Sequence, residues 1–435
     1  MIPSAIASLS DAGLLVENKW ENSPSPVLFV IPVVQSFMQQ QDRVTEEIRK
    51  QVKSSCCEYV LAHACRFDDP TFPKNSKALA VEDTNIQSIL FSSPTSQHIP
   101  SDITMEALIA FNWHRCDTKP NLEIANHVVT AAKASGIERY IASAVWCLGQ
   151  TYAHLGDRST SYGHLQKAYR LFNTLPRGEV ESQRLGGLCG IDLVDTARFM
   201  LHLEGLVSLA RDIENKCAVL SDNIIRARSL VSLGIVLRQA RQPQEALCYL
   251  DQAQTTLKAA GNTYNLANAY QITSWVHYDQ GRIPEALDAI EEAWKHAQLT
   301  DNVSIQADIS LSFGKTLFSV HRNAEGWEYL DISLMKATNT GKRLVASQAL
   351  EYMGYGYLCR GDYHNAYGTY EAAAEKYIGT VYANTDVGRC KDNMARIKQK
   401  QDNTDAVIGF HRHDLDINRT LFYPPGPASV SVSGS

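Results

Sequence analysis

Small and apolar residues recur every 40 residues through the second half of the chain, and four aligned series share this spacing. A small residue recurs at Gly234, Ser274, Gly314 and Gly354. A turn position recurs at Arg241, Gly281, His321 and Gly361. A second small position recurs at Ala246, Ala286, Gly326 and Ala366, and an apolar one at Leu250, Ile290, Leu330 and Tyr370. Because a single unit cannot bury its apolar face, such a period predicts a solenoid of stacked repeats.

Each repeat predicts two helices joined by a turn. The first helix carries residues three and four apart on one face: Leu350, Met353, Gly354, Tyr357 and Leu358. Glycine, here Gly361, commonly follows the end of a helix. The second helix keeps the same spacing at Ala366, Tyr370 and Ala373. We expect Gly354 and Ala366 to lie where two helices cross closely, since a larger side chain would separate them.

This pattern resembles the tetratricopeptide repeat family. Matches to the family pattern occur at Leu148, Gly149, Tyr152, Gly156, Leu165 and Ala168, and again at Gly354, Tyr357, Gly361, Ala366, Tyr370 and Ala373. Departures are Ser161, Arg241 and His321. The usual period is about 34 residues, and the longer spacing is similar to that of bacterial maltose-regulator-type activators and fungal signalling ATPases. The resemblance implies an all-α fold, a right-handed solenoid of antiparallel helix pairs.

Residues 1–45 differ from the rest because short β-branched stretches replace the helical spacing. Residues 11–16 predict a turn entering a strand, residues 27–31 a second strand, and residues 32–38 a helix. A β-hairpin followed by a helix resembles the trailing half of a winged-helix domain. The leading helices of such a domain are absent, so we expect a partial winged-helix-like segment.

The remaining chain divides into three segments. Residues 46–101 predict a helical linker region, with a loop at Phe67–Lys77 and a further helix at Ala78–Phe91. Residues 102–400 predict the repeat solenoid. Residues 401–435, rich in proline and serine, predict a disordered tail.

This order of segments resembles the region downstream of the nucleotide-binding module in fungal STAND proteins, the signal-transduction ATPases with numerous domains. In that family a winged helix, a helical linker and tetratricopeptide repeats follow a NACHT or NB-ARC ATPase module, and the repeats act as the sensor. None of the ATPase motifs is found in this sequence. The resemblance therefore implies a sensor or scaffold, and it does not imply ATPase activity.

Composition agrees with a folded intracellular protein. Hydrophobic residues make up 44% of the chain and charged residues 20%. A net charge of −6 gives no general attraction to nucleic acid or to anionic membrane. The 10 cysteines include no Cys-x-x-Cys pair. Several lie in helical patterns where we expect burial, among them Cys147, Cys189, Cys217, Cys248 and Cys359. We therefore expect a reducing, cytoplasmic setting, with no metal and no cofactor.

Two local motifs suggest chemistry but lack its context. Gly314-Lys-Thr316 ends like a phosphate-binding loop, but that loop needs a glycine where Ile309 stands, and it must lie between a strand and a helix. A helical packing glycine is the favoured interpretation. His411 and His413 could ligate a metal, but they lie in the predicted tail without a second cluster.

The candidate binding residues come from geometry. In tetratricopeptide solenoids the first helices line the concave face. Counting from the small residue of each repeat gives Arg228, Arg238, Asn268, Gln271, Trp275, Tyr278, Lys315, Phe318, Glu351 and Tyr355. Aromatic anchors beside charged and amide groups are typical of peptide-binding grooves. The alternative is that the aromatic residues of this set, Trp275, Phe318 and Tyr355, pack between repeats.

The leading hypothesis is a non-catalytic protein–protein interaction scaffold or sensor that holds a protein or peptide in the concave groove. We expect no nucleic acid, no membrane and no enzyme activity, and the oligomeric state stays open. A transcriptional regulator of the bacterial activator type is the alternative, but it needs a helix-turn-helix with a basic recognition helix. An enzyme with a site between helices is the least favoured, because no nucleophile or acid–base pair stands at a telling spacing.

Overall fold

The computed structural model describes residues 15–18, 27–30, 46–67, 69, 71–91, 100–176, 179–200, 202–378, 380 and 383–402. Within them the chain forms one β-hairpin and 18 helices. The predicted all-α solenoid is confirmed. The candidate ligands His411 and His413, residues 403–435 of the predicted tail and the expected helix over 32–38 lie outside the described residues. The first two residues of the predicted tail belong to the last helix, Ala383–Asp402.

The hairpin joins β1 (Leu15–Asn18) to β2 (Val27–Val30). The strands are antiparallel, with Leu15 opposite Val30 and Asn18 opposite Val27. The second strand lies within the predicted residues 27–31, and the first begins inside the predicted residues 11–16 but extends to Asn18. The relation to a winged-helix domain stays a prediction.

Three helices form the linker region: α1 (Glu46–His63), α2 (Phe72–Val81) and α3 (Asp83–Leu90). The expected loop at Phe67–Lys77 is wrong from Phe72 onward, because Pro73 occupies the first turn of α2, where its missing N–H costs no helical hydrogen bond. The expected single helix at Ala78–Phe91 is also wrong. It breaks at Glu82, and the new helix starts with Asp83, which pairs with Arg115 at 2.7 Å.

The repeats follow as pairs of helices joined by short turns. The first helices are α4 (Asp102–Thr118), α6 (Glu138–His154), α8 (Val180–Ala197), α10 (Asn223–Gln239), α12 (Thr263–Asp279), α14 (Val303–Ser319) and α16 (Arg343–Cys359). The second helices are α5 (Leu122–Ser135), α7 (Arg158–Thr174), α9 (Leu203–Ala218), α11 (Pro243–Ala259), α13 (Ile283–Gln298), α15 (Asn323–Asn339) and α17 (Tyr363–Tyr377). A last helix, α18 (Ala383–Asp402), packs against α17.

Each pair crosses at the small residue of the 40-residue pattern. A Cβ atom at Gly314 would come within 2.9 Å of both the Gly326 carbonyl oxygen and the Leu330 side chain. Ser274 occupies the equivalent position in the preceding repeat, and its hydroxyl donates to the Ala286 carbonyl oxygen at 2.7 Å. The crossing therefore accepts either no side chain or a short one that can bond the facing backbone.

The turn between the helices of a pair contains a left-handed residue. Gly281 and Gly361 have φ of 73° and 75°. Arg241 and His321, which replace this glycine in the other two regular repeats, adopt φ of 57° and 62°. The turn geometry is thus kept although a side chain makes it strained.

A buried ion network holds α18 on the end of the solenoid. Glu351 on α16 is 3% exposed and accepts from Arg389 Nε, from Arg389 Nη2 at 2.8 Å and from the Tyr377 hydroxyl at 2.6 Å. Asp386 contacts the same guanidinium group at 3.0 Å. Because these groups are withdrawn from water, each depends on the others for its hydrogen bonds.

The cysteines divide into two groups. All ten thiols are free, and Cys147, Cys189 and Cys217 are buried as expected. Cys248 and Cys359 are exposed, so the expectation of burial is wrong for them. Both lie on the solvent-facing sides of their helices. The presence of one cysteine within a helical pattern does not show which side of the helix it occupies.

Replacing His321 by glycine should stabilise the protein by about 0.5–1 kcal/mol, because the left-handed turn no longer strains a side chain. The reverse change, Gly281→Ala, should destabilise it by about 1 kcal/mol. A Cβ at Gly281 meets no atom within 4 Å, so only backbone strain is tested there. Urea unfolding of both variants measures the effect. A His321→Gly protein that is no more stable than the wild type would contradict the strain argument.

Glu351→Gln should cost about 2 kcal/mol, because it leaves the Arg389 guanidinium with Asp386 as its remaining carboxylate contact in the network described above. Amide hydrogen exchange should quicken in α18 before it quickens in α10. Glu375→Gln, at an exposed position on α17, is the matched control and should have little effect. Unchanged exchange in α18 would show that apolar packing alone holds this helix.

Candidate binding surface on the first helices

The first helices of successive repeats pack directly against one another from α4 to α16. They therefore form a continuous layer, called here the inner layer. In a solenoid, the small rotation from one repeat to the next curves such a layer into an extended binding surface. All ten sequence-predicted site residues lie on its helices.

Arg238 and Trp275 are brought together on this layer. The Arg238 guanidinium carbon lies 5.3 Å from the Trp275 ring centroid, and its Nε donates to Asp279 Oδ2 at 2.5 Å. The Trp275 indole N–H donates to Ser312 Oγ at 3.2 Å. Trp275 is half-buried, so part of its ring borders solvent while its polar edge joins α12 to α14.

Three predicted residues belong to the packing between repeats rather than to an open groove. Gln271 is 4% exposed and donates to the Asp308 carbonyl oxygen and to Ser312 Oγ, at 3.0 and 2.8 Å. Phe318 is 7% exposed, with its ring against Gly326. Glu351 is held in the ion network with α18. For these three the groove assignment is wrong, because helix register gives the direction of a side chain but not the depth at which its neighbours cover it.

The other predicted residues stay partly open to solvent. Arg228, Asn268, Tyr278, Lys315 and Tyr355 are all half-buried. The Lys315 ammonium lies 4.6 Å from the Tyr352 ring centroid, and burial lowers the pKa of this lysine to about 8, opposed by the nearby Glu351 carboxylate. Burial likewise raises the pKa of the Tyr278 hydroxyl.

The segment that follows α1 reaches the inner layer at its N-terminal end. The Arg66 guanidinium carbon lies 4.5 Å from the Trp113 ring centroid and 5.0 Å from that of Trp146. Its Nη2 is 3.8 Å from Asp192 Oδ2, and the Trp146 indole N–H donates to the same carboxylate oxygen at 2.9 Å. Arg66 is thus held by aromatic faces on α4 and α6 and by an acid on α8.

The next residue, Phe67, contacts the inner layer much farther along the chain. Asn302 Nδ2 donates to the Phe67 carbonyl oxygen at 2.8 Å, across 235 residues of sequence. The Phe67 ring lies edge-on to Tyr264, with centroids 5.9 Å apart. Asn302 can make this contact because only its Oδ1 caps α14, where it accepts from the Ser304 and Ile305 N–H groups. Its Nδ2 is left to donate to Phe67.

Sequence reasoning missed this second set of residues. Phe67 was expected only at the start of a loop, and no rule of periodicity connects it to Asn302. One signal was present: Trp113 and Trp146 each lie on a first helix, 33 positions apart, close to the family's usual period. Gly314-Lys-Thr316, in contrast, lies inside α14, so its amides are engaged in the helix as expected.

No protein-family model matches the chain, and no curated protein matches it. Solved structures do share its fold. A Rap protein complexed with competence and sporulation factor is 11% identical over 82% of this chain and 99% of its own, with a TM-score of 0.50. A STAND protein with a tetratricopeptide repeat sensor from Pyrococcus horikoshii is 12% identical over 96% of this chain and 60% of its own, with a TM-score of 0.47.

The Cut9 assembly with Hcn1, from the APC/C, is similar at 14% identity over 71% of this chain and 52% of its own, with a TM-score of 0.43. In the part of the chain that the structure describes, no helix has the length and apolar character to cross a membrane. At such low identities the likeness establishes the fold alone. The chain is built of tetratricopeptide-like helical repeats.

Proposed function

We propose that this chain is a non-catalytic interaction scaffold whose inner layer binds an extended peptide segment of a protein partner. One observation carries the proposal: the chain's own Arg66 and Phe67 already lie on this layer, held by the kinds of contact a peptide ligand would make. A side chain enters an aromatic and acidic site, and a backbone carbonyl is bonded by an amide of the scaffold.

The Arg66 site indicates the chemistry of the partner. A guanidinium group gains from two indole faces by cation–π attraction and from Asp192 by charge. The Asn302 amide binds a main-chain carbonyl group, which every peptide offers. The Tyr264 ring favours an aromatic side chain on the ligand residue that supplies this carbonyl group. The expected ligand is therefore an extended segment with an arginine followed by an aromatic residue.

The surface is proposed to continue toward the C-terminal repeats. Trp275, Tyr278 and Tyr355 offer partly exposed rings there, and Arg228, Asn268 and Lys315 offer polar groups beside them. Rigid aromatic area with a few polar contacts is what peptide grooves use for affinity and orientation.

The broader role that we propose is that of a sensor arm related to STAND signalling proteins. It is supported by the order of segments, in which a hairpin, a helical linker and then repeats follow one another. A cytoplasmic setting, supported by ten free thiols, and the absence of catalytic and nucleic-acid-binding activity belong to the same proposal.

A fluorescein-labelled peptide with the sequence of residues 62–73 and serine in place of Cys65 tests the groove. Fluorescence anisotropy should show at least tenfold tighter binding to the full-length Arg66→Ala protein than to the wild type. The reason is that the wild-type segment competes at the high effective concentration of a tethered ligand. Adding Trp113→Ala to the Arg66→Ala protein should abolish binding.

Lys77→Ala is the matched control, because it removes a cation of the same linker region at a position exposed to solvent. It should bind the peptide as weakly as the wild type does. Circular dichroism of each variant separates loss of folding from loss of binding. Equal, weak binding to the wild type and to a folded Arg66→Ala protein would overturn the proposal.

A further inference from the structure

Three potential metal ligands converge between the first two repeats. Cys116 and Asp117 are neighbours near the end of α4, and His154 is the last residue of α6. One donor atom of each, a sulfur, a carboxylate oxygen and a ring nitrogen, lies within 4.8 Å of the others. Asp117 Oδ1 and His154 Nε2 are 3.9 Å apart. This distance is too long for a direct hydrogen bond between Asp117 and His154, although the Cys116 thiol and the His154 ring do interact by a side-chain hydrogen bond.

Two of the three ligands are withdrawn from water, whereas the His154 side chain is 46% exposed. Cys116 is 1% exposed, and the side chain of Asp117 is 5% exposed. Asp117 Oδ2 is buried without a hydrogen-bond partner in the described part of the chain. A carboxylate oxygen buried in this way is costly unless a positive charge or a donor reaches it. A metal cation bound by all three groups would remove this cost.

The spacing suits a small tetrahedral ion. Zinc binds thiolate sulfur at about 2.3 Å and imidazole nitrogen or carboxylate oxygen at about 2.0–2.2 Å, which places ligand atoms about 3.3–3.8 Å from one another. The observed 3.9 Å between Asp117 and His154 is slightly wider. A small side-chain rotation would close this difference.

The mixture of donors selects the class of ion. Calcium and magnesium prefer sites made wholly of oxygen, whereas zinc accepts sulfur, nitrogen and oxygen together. A thiolate and a carboxylate carry two negative charges, which balance a divalent cation in a buried place. The Cys147 thiol lies beside Cys116 and is fully buried, so either it or a water molecule could complete four-coordination.

We propose that Cys116, Asp117 and His154 form a binding site for a zinc-class divalent cation, which ties the end of α4 to the end of α6. The site adjoins the peptide groove, because the Arg66 charge also acts on the Asp117 carboxyl. Its three ligands are nevertheless distinct from the aromatic and acidic residues described above around Arg66 and from those around Phe67. Its role is to fasten the first helices of the first two repeats. Because the ion binds the folded chain and not the unfolded one, the stabilisation should rise with the logarithm of ion concentration once the site is saturated.

Cobalt is the probe, because a bound thiolate gives Co²⁺ a charge-transfer absorption in the near ultraviolet. The full-length protein is stripped with a chelator, kept reduced with a phosphine, and titrated with Co²⁺. We expect that absorption to saturate at one ion per chain and to disappear when Zn²⁺ is added. The thermal unfolding midpoint should rise with Zn²⁺ and stay constant with Mg²⁺.

Cys116→Ser and His154→Gln should each lose the absorption and the zinc-dependent stabilisation. Cys248→Ser, which removes an exposed thiol on α11, is the matched control and should keep both. Asp117→Asn is the second test, used if a variant at Cys116 fails to fold. It keeps the shape of the side chain and should weaken zinc binding at least tenfold. Absence of the absorption in the wild-type protein, or its persistence in Cys116→Ser, would overturn the proposal.

Discussion

The close crossing of the two helices in each repeat is the constraint on which this structure depends. At Gly314 the facing backbone of Gly326 lies so near that a single Cβ atom would collide with it. Ser274 meets the same constraint by bonding the Ala286 carbonyl group. Close packing within a pair keeps the other faces of both helices available to pack against neighbouring repeats. The stability of the solenoid therefore depends on these small residues.

The packing between repeats uses polar groups as well as apolar ones. Gln271 spans from α12 to α14, and Glu351 anchors α18 through Arg389 and Tyr377. Such buried groups are satisfied only in one register of adjacent helices, which fixes the relative placement of the repeats. Because their hydrogen bonds bury Gln271 and Glu351 between helices, neither residue belongs to the binding surface. A position on the inner layer therefore does not by itself make a residue available to a partner.

The N-terminal end of the inner layer concentrates the chemistry of the molecule. Trp113, Trp146 and Asp192 enclose the guanidinium group of Arg66. One helical turn beyond Trp113, Asp117 joins Cys116 and His154. The first set suits a cation carried by a peptide, and the second suits a metal ion. Both depend on the ends of α4 and α6 being held side by side.

The sequence by itself determined the repeating unit, the helix pairs, the small residues at each crossing and the position of the turn in each repeat. These features are local: spacing along the chain dictates which side of a helix is apolar. Only the tertiary structure decided that Phe318 and Glu351 are buried while Trp275 stays partly open, that Phe67 meets Asn302 across 235 residues, and that His154 faces Cys116. The reason is that depth and long-range contact depend on the rotation accumulated from repeat to repeat, which no single period of the sequence encodes.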